Sequence, residues 1–104
     1  VTVTITRGAD TITITAVPGE TTYGSRADGG PRLEIATRIY LVDVAKYVFD
    51  GQTTTPAIGD RFSETINGAE LVTECQTPEN GEKEWRYSSR WRSRYRIHCK
   101  KVNT

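Results

Sequence analysis

The chain has 104 residues, 36% of them hydrophobic, with 14 Lys and Arg against 13 Asp and Glu. That size suits one domain with one small core, and no apolar run approaches the ~18 residues of a membrane span, so a soluble protein without a membrane partner is expected. The net charge of +1 conceals a division: residues 1–82 carry six basic and twelve acidic side chains (−6), whereas residues 83–104 carry eight basic and one acidic, Glu84 (+7).

Val1 to Thr6 and Thr11 to Val17 alternate apolar residues with Thr, and Arg7 to Asp10 turns the chain between them. Val1, Val3 and Ile5 share one face, as do Ile12, Ile14 and Ala16, so a hairpin with one buried side is predicted. Its edge is free to pair with another chain. Pro18 to Pro31, rich in Gly, has little periodicity and reads as a long loop. Leu33 to Phe49 fits strand alternation and also a helical stripe. Its β-branched and aromatic content favours strands, with a kink near Asp43 to Ala45. Residues 50–58 read as a second, polar loop.

Gly59-Asp60 opens the clearest hairpin. Asn67-Gly68 suits a type I′ turn, because both residues tolerate positive φ. Counting outward pairs Ile66 with Ala69, Phe62 with Thr73 and Arg61 with Glu74. Phe62, Ile66, Leu71 and Cys75 then share an apolar face with Glu64, which is expected near an edge. Thr77 to Gly81 turns the chain again.

Arg90 to Lys100 alternates with period two. As one strand it would place Arg90, Arg92, Arg94, Arg96, His98 and Lys100 outside and Trp91, Ser93, Tyr95, Ile97 and Cys99 inside. Eleven residues at ~3.3 Å give a basic rail roughly 36 Å long. The rail either lies beside acidic neighbours in the same fold or docks on an acidic protein or on phosphates. An oligomer in which the basic face meets the next subunit's acidic face satisfies both. The expected fold class is all-β, a small antiparallel barrel or sandwich of six or seven strands with long loops.

Catalytic chemistry is not expected. His98, the single histidine, sits among arginines, and Cys99 points to the opposite face, so the two cannot share a metal. No nucleophile–base–orienter set and no phosphate-cradling glycine loop can be assembled. No cofactor or metal is implied. Cys75 and Cys99 read as reduced, buried thiols, although their inward positions leave a disulfide geometrically open. Trp85, Tyr87, Trp91 and Tyr95 interleave with arginines as in single-strand nucleic-acid binders. Stacking needs aromatics and cations on one surface, however, and the strand reading sends Trp91 and Tyr95 inward, into the core.

Two blocks carry a resemblance: Thr55-Pro56-Ala57-Ile58-Gly59-Asp60-Arg61-Phe62, and Trp85-Arg86-Tyr87-Ser88 leading to Arg96-Ile97-His98-Cys99-Lys100-Lys101-Val102. They resemble the head-completion and head–tail joining (stopper, head-closure) proteins of tailed phages. That family has a Pro-x-x-Gly-Asp hairpin entry and a closing Trp-x-Trp/Tyr-Ser…Arg-Ile-His-Thr-Lys strand. Here Cys99 stands for the Thr, and Ser89-Arg90 for an Asp-Pro turn. The resemblance implies a small β-barrel that assembles as a homo-oligomeric ring in the virion neck. Such a ring lies between portal or adaptor and tail proteins, surrounds packaged double-stranded DNA, and forms in the host cytoplasm. It makes the rail a partner interface. It makes the two loops docking or channel elements, with Tyr23, Arg26 and Asp28 in the first and Gln52 in the second. A tail terminator or other virion ring protein, and a nucleic-acid-binding β-barrel, are the alternatives.

Overall fold

The computed structural model describes residues 1–25, 33–66, 68–78, 81–88 and 90–102. Its strands are β1 (Thr2–Arg7), β2 (Asp10–Thr15), β3 (Val17–Ser25), β4 (Leu33–Asp43), β5 (Val48–Phe49), β6 (Gln52–Thr53), β7 (Arg61–Ile66), β8 (Ala69–Cys75), β9 (Trp85–Tyr87) and β10 (Arg94–Lys101). One antiparallel sheet runs β2-β1-β7-β8-β10-β4-β3, with β9 also on β10, and β5–β6 forms a separate hairpin. The sheet curls into a half-barrel. The curl brings Tyr40 of β4 onto Phe62 of β7, stacked at 5.0 Å between ring centroids, although β8 and β10 lie between those strands. Such a pair contributes about 0.5–1.5 kcal/mol beyond its burial.

The alternation in sequence becomes two faces. Val3, Ile5, Phe62, Tyr40, Val42, Tyr95, Ile97, Cys75 and Cys99 are buried on the inner face. Threonines occupy the outer face of β1 and β2, and Thr4–Thr13 and Thr6–Thr11 form hydroxyl pairs across the strands. A 3₁₀ turn at Val44–Lys46 follows β4, so the expected kink is there. It swings Tyr47 and Phe49 inward, where Tyr47 meets Tyr95 edge-on at 5.8 Å.

The β7–β8 register matches the one counted from the sequence, with Ile66 opposite Ala69, Phe62 opposite Thr73 and Arg61 opposite Glu74. Gly68 has φ 82°; Asn67 lies outside the described residues. Glu64 corrects the expectation of an edge. It is 4% exposed, on a strand flanked by β1 and β8. Arg38 pairs with it at 2.6 Å and the Tyr40 hydroxyl donates to it, so the buried carboxylate has the partners burial demands.

Two predicted loops are strands in part. Residues Val17–Ser25 form β3 against β4, with register irregularities between Pro18 and Thr21 and between Thr22 and Tyr23. As the last strand on its side of the sheet, β3 tolerates a proline that a central strand would not. In the second loop, Asp50 (φ 53°) and Gly51 (φ 74°) make the positive-φ pair of a type I′ turn, joining β5 to β6.

The final strand is shorter than predicted. Tyr87 pairs with Tyr95 and Trp85 with Ile97, so the chain must reverse between Tyr87 and Tyr95. Arg92, at φ 54°, lies in that reversal, and Arg90 to Ser93 are outside any strand. Trp91 and Ser93 are therefore not inward: Trp91 is 74% exposed.

Gly68→Val should destabilise the protein by roughly 1–3 kcal/mol, because a β-branched side chain is strained at positive φ. Urea denaturation would measure it, and an unchanged midpoint would contradict this turn geometry.

Candidate docking surface

β10 lies between β8 and β9 on one side and β4 on the other. Its inward residues are tied into the core, which fixes the direction of the outward ones. Arg94, Arg96, His98 and Lys100 share the outer face, so the basic rail survives over the strand and is cut short at Arg94. Arg90 and Arg92 leave it. Acidic neighbours within the same fold are present: Arg94 pairs with Asp43 at 3.3 Å, with both side chains about half exposed, and Arg96 approaches Glu20 at 3.9 Å. Pairs so exposed contribute little to stability.

His98 is half-buried. Its Nδ1–H donates to the Gln76 carbonyl (3.2 Å). Burial pushes its pKa down, Lys100 and Arg96 push the same way, and the Gln76 contact opposes them. His98 is thus neutral at pH 7, and the charge of this face belongs to arginine and lysine.

The reversal ahead of β10 presents a second surface. The guanidinium of Arg90 lies 4.7 Å from the Trp91 ring centroid, and that of Arg92 lies 5.4 Å from the Tyr87 centroid. Tyr87 is 37% exposed. Aromatics and cations therefore do share a surface here, which overturns the assignment of Trp91 to the core. Tyr95, 3% exposed, remains inside as expected, packed edge-on with Trp85 at 5.1 Å. The turn is anchored by the Val44 N–H, which donates to the Ser93 carbonyl (3.0 Å).

Of the expected loop residues, Tyr23 has its backbone on β3, opposite Ile35. Gln52 is exposed on β6. Arg26 and Asp28 lie outside the described residues. The structure does not bring Gln52 into a loop, and sequence reasoning missed Arg86. The β9–β10 register would have found it, since it sets Arg86 directly opposite Arg96.

On the inner side, Asp60 is 1% exposed. It accepts two hydrogen bonds from Arg7 (both 2.8 Å), one from the Tyr47 hydroxyl and one from the Ala57 N–H (3.0 Å). Its backbone N–H donates to the Ala57 carbonyl (3.1 Å). This closed arrangement holds the Pro56–Asp60 turn and leaves the carboxylate no role toward solvent. Cys75 and Cys99 face each other across β8 and β10 and are both free thiols. Among the described residues no His, Cys, Asp and Glu cluster could hold a metal, and no helix is long and apolar enough to cross a membrane.

The buried groups make stability depend on alkaline pH. Burial, then Glu64, pushes the Tyr40 hydroxyl far above its usual range; burial, then Asp60, does the same for Tyr47. Burial raises Cys75 to about 12 and Cys99 well above its ordinary 9.0. These groups hold their protons in the folded state after the unfolded chain would release them. The stability they contribute is complete below the unfolded values and is lost as pH rises above them. The melting temperature should therefore fall steeply above about pH 9, and Tyr40→Phe should flatten part of the decline. A flat profile through that range would contradict the burial described.

A family model described as phage head-tail joining protein matches residues 1–104. No curated protein and no solved structure matches the chain.

Proposed function

The chain belongs to the phage head-tail joining protein family and is a structural protein of the phage particle that meets other head and tail proteins; from that premise we propose that it forms a ring of the virion neck, between portal and tail, and docks through the outer face of β10. The observation that carries the reading is the fixed, outward array of Arg94, Arg96 and Lys100 on a strand whose inner side is locked in the core. A ring uses heterologous interfaces, in which one face of each subunit meets a different face of its neighbour. The division of charge into −6 and +7 along the chain suits that arrangement. β2, which ends the sheet, offers an edge for strand addition by a neighbour. Trp91, with Arg90 against its ring, has the composition of an interface anchor, since Trp, Tyr and Arg dominate binding hot spots.

In this reading the ring surrounds the DNA passage, helps retain packaged DNA and receives the tail, and the chain reaches the neck from the host cytoplasm. The joining family favours this position over a tail terminator. The aromatic and cationic surface at Trp91 favours a second reading, contact with nucleic acid, for which salt-dependent DNA binding by the isolated protein is the signature.

Arg94→Glu with Arg96→Glu should leave the protein folded, within about 1 kcal/mol of the parent, because both side chains point outward. Against an acidic partner, the reversed charges should cost several kcal/mol of docking. Particles complemented with this variant should package DNA and then fail to retain it or to join tails, as seen by electron microscopy beside a melting curve. Infectious, tailed particles would remove this face from assembly.

A further inference from the structure

A groove of about 280 Å³ on the outer side of the sheet is lined by Glu20, Ile39, Glu82, Arg86, Arg96 and His98. It continues past Trp85 and Lys83 in one direction and over Thr37, Lys100 and Lys101 in the other. Ile39 is only 6% exposed yet stands apart from the core cluster. It is covered from outside by the β3 backbone at Gly19, where a Cβ would come within 3.2 Å of it. Ile39 is thus closed off beneath β3, and the other residues lining the groove are mostly polar or charged.

Arg86 and Arg96 stand directly opposite each other on β9 and β10. Like charges in that position are destabilising. Glu20 relieves Arg96 only at 3.9 Å and from a side chain 72% exposed. Among the described residues, the Arg86 guanidinium has no ion-pair or hydrogen-bond partner. Two cations thus start from directly opposite positions on the rim of a concave site, an arrangement an incoming anion would complete through charge-assisted bonds.

We propose that this groove binds an extended acidic segment of an adjoining protein subunit, with one Asp or Glu carboxylate clamped between Arg86 and Arg96. The inference rests on the reading of the outer face of β10 as a docking surface. A protein segment suits the groove better than a nucleic acid does. Glu20 and Glu82, which line the groove with Arg86 and Arg96, disfavour a run of phosphates more than they do a single carboxylate. The groove is too small to admit a broad, rigid duplex, whereas an extended chain can lie along it.

The test uses the full chain, a labelled peptide of alternating Glu and Val, a Lys-Val control peptide and a labelled DNA duplex, read by fluorescence anisotropy. The acidic peptide should bind and the control should not. Arg86→Gln and Arg96→Gln should each weaken binding about tenfold or more, whereas Arg61→Gln, exposed on β7 and outside the groove, should leave it unchanged. Without peptide, Arg86→Gln should raise the melting temperature by about 2 °C, because a repulsion is removed. That readout shows the variant folded and separates a ligand-holding arginine from a structural one. Absence of peptide binding, equal weakening by Arg61→Gln, or preference for the duplex would each overturn the proposal, the last assigning the site to phosphates. Peptide binding as described, with normal particles from the charge-reversed variant, would uphold the groove and overturn the neck-docking reading instead.

Discussion

Asp60 is the group on which the inner side of the molecule closes. It is a carboxylate almost without contact with water; Arg7 reaches it with two nitrogens, and Tyr47 and the Ala57 N–H supply further donors. Those partners come from the end of β1, from the chain after the 3₁₀ turn and from the Pro56–Asp60 turn itself. One side chain thus holds three remote segments across the mouth of the half-barrel. Removing either member of such a pair exposes the other to the cost of an uncompensated buried charge. The Pro-x-x-Gly-Asp pattern in the sequence has its physical reason here: the turn delivers the carboxylate, and Arg7 and Tyr47 wait for it.

Glu64 with Arg38 and Tyr40 repeats the device deeper in the sheet. Together the two clusters withdraw two acids and two arginines from the N-terminal portion of the chain. The withdrawn charges cancel, so the −6 surplus of residues 1–82 remains on the rest of that portion and still faces the +7 of residues 83–104. With the inside committed to packing and internal pairing, the outer face of β10 is left to carry cations outward. A strand held by neighbours on both sides is a rigid platform, and rigid presentation lowers the ordering cost of an interface.

The sequence disclosed what local chemistry controls and lost what remote pairing controls. Asn67-Gly68 and the apolar alternation around it were enough to set the β7–β8 register, because turn type and buried face agree. Asp50-Gly51 carries the same turn chemistry but went unread, since β5 and β6 are too short to show alternation. Pro18, Gly19 and Gly24 looked like a loop because their propensities oppose a strand; an end strand with irregular register absorbs them. Alternation from Arg90 to Ser93 was real in sequence and absent in structure. The packing of Trp85, Tyr87 and Tyr95 requires the chain to reverse just there, and no local pattern announces a demand set by a preceding strand. Arg86 was lost for the same reason, being defined as a site residue only by its position opposite Arg96. Glu64 was legible as an anomaly, but its partner Arg38 lies on β4, which meets it only through the curl of the sheet.

The central claim is that the outer face of β10 is a protein-docking face of the phage neck. A reconstruction of the assembled neck, at a resolution that shows side chains, tests it most directly. Carboxylates of another subunit are expected within hydrogen-bonding distance of Arg86 and Arg96, with an extended segment lying along the outer face of β10. A β10 face open to solvent, or turned to the packaged DNA with phosphates as its partners, would contradict it.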